Sequence, residues 1–157
     1  MSSPESRLCD VRLDEASLPP ATPEADNERR VAVFDLLENN FFHLEMAPGP
    51  YVLQLSLNDN RLAFEVSDRA GAAIHTFLLS LAPLRRVIKD YFLICDSYYE
   101  AVRTSTPQQI EAIDMGRRGL HNEGSELLMQ RLDGKVRLDL ETARRLFTLI
   151  CALHWKG

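Results

Sequence analysis

The chain has 157 residues, 45% of them hydrophobic and 26% charged, with a formal net charge of −5. That balance fits one globular domain of ordinary size and excludes a disordered chain. An acidic whole also disfavours a general DNA-coating role, which needs a basic surface.

The charge is unevenly spread. Residues 1–80 carry 6 Lys+Arg against 13 Asp+Glu, and residues 81–157 carry 12 against 10. Arginine dominates the cations and recurs as doublets: Arg29-Arg30, Arg85-Arg86, Arg117-Arg118 and Arg144-Arg145. Guanidinium forks recognise phosphate or carboxylate in pairs of hydrogen bonds, but they also decorate solvated helix faces.

In chain order, residues 1–6 read as a flexible tail and residues 7–157 as a single α+β domain. The start has no apolar segment of a secretory signal. Cys9 to Leu13 alternates apolar residues with Asp10 and Arg12, the pattern of a short strand. Leu18-Pro19-Pro20 belongs to a connection. Thr22-Pro23-Glu24 starts a helix, with a capping hydroxyl, proline in the first turn and an acid behind it. That helix runs to Asn39-Asn40.

Pro48-Gly49-Pro50 breaks the chain before a β signal. Leu53, Leu55 and Leu57 alternate with polar residues, as do Leu62, Phe64 and Val66 after the turn residues Asn58-Asp59-Asn60. A third strand follows from Ala73 to Leu79. This antiparallel meander, about residues 50–80, has one apolar face that needs a cover, and the C-terminal half is helical enough to provide it. A long helix begins near Pro83. Thr106-Pro107 stops it and starts another. Lys135–Leu138 reads as a short strand, and Asp139 caps a last helix, Leu140 to Trp155, apolar on nearly all sides and therefore central to a core.

Leu78–Leu128 (LLSLAPLRRVIKDYFLICDSYYEAVRTSTPQQIEAIDMGRRGLHNEGSELL), Ala143–Gly157 (ARRLFTLICALHWKG) and Ala32–His43 (AVFDLLENNFFH) resemble a family of small bacterial proteins known only as uncharacterised. The resemblance covers nearly the whole chain. It implies a small cytosolic protein and carries over no catalytic residue, cofactor or substrate.

The richest chemistry lies in Asp114–Glu123, DMGRRGLHNE. Two readings of it are open. As a helix it pairs Asp114 with Arg118 at i,i+4 and leaves a solvated, salt-bridged face. As a break, Gly116 and Gly119 bracket a turn whose exposed N–H groups join Arg117 and Arg118 in an anion nest. Three glycines in nine residues weigh against a helix, at up to about 1 kcal/mol each. Gly116-Arg117-Arg118-Gly119 also matches the GXXG loop that clamps an RNA backbone. The cations Arg85, Arg86 and Lys89 open the long helix, where the macrodipole disfavours them. They are the second candidate binding group.

The favoured expectation is a cytoplasmic binding or regulatory module with an arginine-lined site for a phosphorylated ligand or an acidic partner. The first alternative is a small enzyme. His121 would be its acid/base, Glu123 or Asp114 would orient the imidazole, and Arg117 and Arg118 would stabilise charge. The second is an RNA-binding module using Gly116–Gly119. The histidines are scattered without metal spacing, Cys95 and Cys151 lie in apolar runs, and no apolar run is long enough to span a bilayer. No cofactor, metal or membrane is expected, DNA is unlikely, and neither ligand nor oligomeric state is legible.

Overall fold

A computed structural model describes residues 5–155. Its elements in order are β1 (Leu8–Leu13), α1 (Pro23–Glu38), β2 (Phe42–His43), β3 (Tyr51–Asn58), β4 (Arg61–Asp68), β5 (Ala73–Ser80), α2 (Ala82–Thr104), α3 (Pro107–Leu132), β6 (Arg137–Leu138) and α4 (Leu140–His154). The protein is α+β, with a helical C-terminal half.

The sheet has the order β1-β3-β4-β5. β3, β4 and β5 form the antiparallel meander, with Leu55 opposite Phe64 and Phe64 opposite Phe77. Asp59 takes φ 58° in the two-residue turn between β3 and β4, a conformation that Asp tolerates better than most residues. The N-terminal strand adds something the sequence pattern left open: β1 runs parallel to β3. The connection between them passes through α1, so the sheet is mixed. β2 and β6 form a separate antiparallel pair, Phe42 opposite Leu138; two residues per strand are too few to leave a periodic signal.

Leu53, Leu55 and Phe64 are 0% exposed and Val66 is 2% exposed, so the alternating face is the buried one. Its cover is α4, whose Leu146, Phe147, Leu149, Ile150 and Leu153 belong to the same core. α1 and α3 pack on α4 in turn. Each fully buried Leu or Phe contributes about 1.5–3 kcal/mol, so α4 is the most heavily anchored helix.

Helix starts follow local chemistry. The Thr22 hydroxyl accepts from the Ala25 N–H at 3.1 Å, and Asp139 accepts from Thr142 N–H at 2.8 Å. Thr106 and Gln109 form a reciprocal capping box at the start of α3. α2 differs: no side chain caps it and no acid lies in its first turn. Residues 1–4 of the expected tail lie outside the described residues. Ser6 is held, its carbonyl accepting from Phe42 N–H at 3.0 Å.

Candidate functional site

α3 decides between the two readings of Asp114–Glu123. It is one continuous helix from Pro107 to Leu132, so Gly116 and Gly119 sit inside it. Their N–H groups belong to the helical ladder and form no nest, and Gly116–Gly119 is not a GXXG loop. Both loop-based expectations are corrected on that ground. A capping box at one end and packing on α2 and α4 outweigh the glycine penalty.

The glycines have unequal reasons. A Cβ on Gly124 would meet the Phe147 ring at 2.2 Å, so α3 approaches α4 only because that side chain is absent. A Cβ on Gly116 would meet the tip of Ile94 at 2.8 Å, whereas one on Gly119 would meet nothing within 4 Å.

Asp114 organises the arginine pair. Its Oδ1 accepts from Arg117 Nε at 3.1 Å and Nη2 at 2.5 Å, and its Oδ2 lies 3.2 Å from Arg118 Nε. Arg117 also lies over the Tyr98 ring, 4.2 Å from its centroid, a cation–π contact joining α3 to α2. Burial opposes the charge of Arg117, but the Asp114 hydrogen bonds hold it and its pKa is raised. One carboxylate thus serves both guanidiniums, and Arg118 remains exposed.

His121 lies further along the same helix, wedged between rings. Its centroid is 5.4 Å from Tyr91 and 5.2 Å from Phe147, both edge-on. Its Nε2 is 2.8 Å from Thr148 Oγ1, which itself donates to the Arg144 carbonyl at 3.0 Å. Thr148 therefore accepts, which assigns the proton to Nε2. Nδ1 is left buried with no hydrogen-bond partner. Burial, then the charges of Arg144 and Arg117, depress the imidazole pKa.

The acid/base constellation does not assemble. At about 100° per residue, Glu123 falls roughly opposite His121 on α3. Asp114 lies about two turns away and is occupied by the arginines.

The second cationic group lies in the first two turns of α2. Ile94 lies against Gly116 and Tyr91 against His121, so α2 and α3 run antiparallel. Arg117 is then level with Ile94, and residues 85–89 fall about 7–13 Å further along the hairpin. Arg85 donates to Asn60 Oδ1 at 3.0 Å, and Arg86 Nε is 4.0 Å from Asp90.

The sequence missed a buried cation. Arg29, 1% exposed, donates from Nη2 to the Pro19 and Leu153 carbonyls at 2.9 and 3.2 Å. Leu153 lies in the last turn of α4, where a cation satisfies open carbonyls and favours the dipole. The signal was present: Ala25, Arg29, Ala32 and Leu36 form the buried stripe of α1. Ser6, His43 and Glu45 also come together, with Ser6 Oγ 3.0 Å from His43 Nδ1 and Glu45 3.7 Å from His43 Nε2. Ser6 is buried, and Glu45 is shared with Arg137 at 3.1 Å. That leaves the hydroxyl no access to a substrate.

Cys9, Cys95 and Cys151 are free thiols. Burial raises the pKa of Cys95 and of Cys151, which opposes nucleophilic use. Among the described residues no group of three His, Cys, Asp or Glu could hold a metal ion, and no helix is long and apolar enough to cross a membrane. An open cleft of about 260 Å³ is lined by residues including Phe41, Met129, Val136 and Arg137. It includes none of the expected site residues.

Residues 5–156 match the model of the Uncharacterised protein family (UPF0262). A UPF0262 protein of Caulobacter vibrioides (strain NA1000 / CB15N) is 62% identical over 152 residues, 96% of this chain and 94% of the relative. UPF0262 protein R00612 of Rhizobium meliloti is 60% identical over 152 residues, 96% of each chain. UPF0262 protein BCAN_A0255 of Brucella canis is 58% identical over 156 residues, 98% of this chain and 97% of the relative. No solved structure matches.

Proposed function

The chain belongs to the Uncharacterised protein family (UPF0262), and we propose that it acts as a binding module through the arm formed by the outer parts of α2 and α3. One observation carries this reading. From Lys89 to Glu123 only Ala101 is buried, although the same stretch is rich in aromatic and aliphatic residues. Leu93, Tyr99, Val102 and Met115 are 57%, 63%, 52% and 61% exposed. Large exposed apolar side chains gathered on one projecting element mark an interaction surface more often than a solvated face. Asp114, Arg117 and Arg118 lie on this arm. With Asp114 serving both guanidiniums, the cluster suits a protein surface carrying a carboxylate and apolar groups better than a free phosphate.

The test is photo-crosslinking in living cells, with a photoreactive residue at position 99, at 115, or at the exposed Arg12 of β1. Crosslinks to polypeptide from positions 99 and 115, and none from 12, are expected. Absence of any protein adduct from both arm positions overturns the reading.

A further inference from the structure

The two edges of the main sheet are finished differently. At β1, the Asn40 side-chain amide bonds both backbone groups of Leu8, accepting from its N–H at 2.7 Å and donating to its carbonyl at 3.2 Å. Asp10 and Arg12 also stand on that strand. Plugs and charges of this kind keep an edge from pairing with another chain. β5 has neither. It runs for 8 residues as AIHTFLLS, without Lys, Arg, Asp, Glu or Pro. Among the described residues it is bonded to β4 alone.

The ladder with β4 shows which backbone groups of β5 are open. Leu81 N–H donates to the Asn60 carbonyl at 2.9 Å, one step beyond the pair Arg61–Ser80. Residues of an antiparallel strand turn their backbone groups to alternate sides. Leu79 and Phe77 therefore bond β4, while Thr76, Leu78 and Ser80 turn their N–H and C=O groups outward. These three residues are exposed. The irregularity between Val66 and Ser67 lies before this stretch, so Thr76–Ser80 is regular.

The side chains around the open stretch suit one occupant. A second β5, antiparallel about a two-fold axis through Leu78, sets Thr76 opposite Ser80 of the second copy and Leu78 opposite its counterpart. Each outward N–H then meets a carbonyl. Because β4 and β5 pair in a fixed register, each row across the seam also keeps its character. On the core face, Phe64 and Phe77 continue into Leu79 and Leu62 of the second copy. On the open face, Ala63 and Leu78 continue into the same two residues in reverse. The outer rows run from Glu65 and Thr76 into Ser80 and Arg61 of the second copy, so their ends carry opposite charge. Moving the axis to Phe77 would oppose Leu78 with Thr76 and break these rows.

We propose that two copies of this chain pair through β5 and join their sheets into one. The axis stands perpendicular to the sheet, so both copies keep their helices on the same side. Each strand arrives with its core face already covered, which a free peptide strand would not. Leu78, 43% exposed on the open face, is shielded by its own counterpart. This surface shares no residue with the α2–α3 arm. A two-fold pairing of one patch with itself is the commonest route to a homodimer. One strand pair falls short of the roughly 800 Å² per partner of a standard interface, so the dimer is a micromolar one, with Kd on the order of 1–100 μM.

Sedimentation equilibrium of the intact protein across that range, read with amide hydrogen exchange, tests the pairing. The wild type is expected to move from one to two chain masses, with exchange at Thr76, Leu78 and Ser80 slowing as the dimer forms. Leu78→Lys sets like charges opposite each other on the axis and should weaken association by about tenfold. Because Leu78 is exposed, the melting temperature of that variant should match the wild type at a dilution where the wild type is monomeric. Thr76→Lys alone adds a cation at the end that holds Arg61 of the second copy, and Ser80→Glu alone adds an acid at the end that holds Glu65. Each should weaken association by about twofold to fivefold. Combined in one chain, the two substitutions face each other across the seam and should recover most of the loss.

A wild type that stays monomeric to about 100 μM overturns the pairing. So does a dimer that Leu78→Lys leaves intact, or one whose slowed exchange falls on α2 and α3 and not on β5.

Discussion

The two ends of α3 live in different environments, and the contrast separates the body of the molecule from its arm. Toward the C-terminus, Gly124, Ser125, Leu128 and Leu132 are buried against α4. Toward the N-terminus no residue of the helix is buried, although Ile110, Ile113 and Met115 are as apolar as their counterparts in the body. The difference lies in length. α3 has 26 residues and α2 has 23, but α4 has only 15. At about 1.5 Å per residue the shorter helix cannot cover the longer pair. Burial in a helix thus depends on what stands beside it as much as on its own pattern.

The sharpest test of this contrast compares one ring in each region. Phe147→Ala empties a fully buried site and should cost about 3–5 kcal/mol. Tyr99→Ala on the arm should cost under about 1 kcal/mol in the monomer. Urea melts of both variants at low protein concentration check this. A large loss at Tyr99 would mean that the arm is packed in solution.

Arg29 comes next. Arg29→Ala leaves the Leu153 and Pro19 carbonyls without their donor and opens a cavity, for a loss of roughly 3 kcal/mol. Arg117→Gln, by contrast, should cost only about 1 kcal/mol, because its ion pair and ring contact are partly solvated. Thermal melts of the two single variants, read side by side, test whether the buried arginine is the structural one.

The glycines give a finer comparison. Gly124→Ala forces a methyl into the Phe147 ring and should cost about 1–3 kcal/mol. Gly119→Ala faces open space in the same helix and should add up to about 1 kcal/mol. Opposite signs in a denaturant titration would locate the boundary of the body between these two positions.

His121 sits at that boundary, and its pH effect is the smaller one. Its folded pKa is depressed, first by burial and then by Arg144 and Arg117, while the unfolded value is about 6.5. Above that pH both states carry a neutral ring and stability is full. As pH falls below it, the unfolded chain takes up the proton that the folded ring resists, and stability drops. His154 is depressed in the same direction, chiefly by burial. His121→Gln should therefore flatten the fall in stability between about pH 7 and pH 5 without abolishing it. An unchanged slope would show that His121 stays hydrated.

Much of the fold was legible in the chain. The alternation in Leu53–Leu57 and Leu62–Val66 fixes which face of the meander is buried, because successive side chains of a regular strand point to opposite faces. Thr22-Pro23, Thr106-Pro107 and Asp139 mark helix starts because their side chains answer local N–H groups. The apolar run of α4 marks it as central. These are short-range rules, and the sequence states them directly.

The rest depended on contacts between distant residues. That β1 runs parallel to β3 is set by the path of α1, and that Phe42 pairs with Leu138 is set by closure of the domain. Neither leaves a local pattern. The character of Asp114–Glu123 was open because helix cost and turn preference nearly balance for a glycine-rich segment. Packing on α2 and α4 tips that balance toward helix. The composition pointed to arginine as the informative cation, and that much was in the sequence. Which arginine is buried, which pair shares Asp114 and which end of the hairpin stands clear of the core were decided only in three dimensions. Charge neutralisation and burial are properties of neighbours, and one chain position does not name its neighbours until the tertiary structure brings them together.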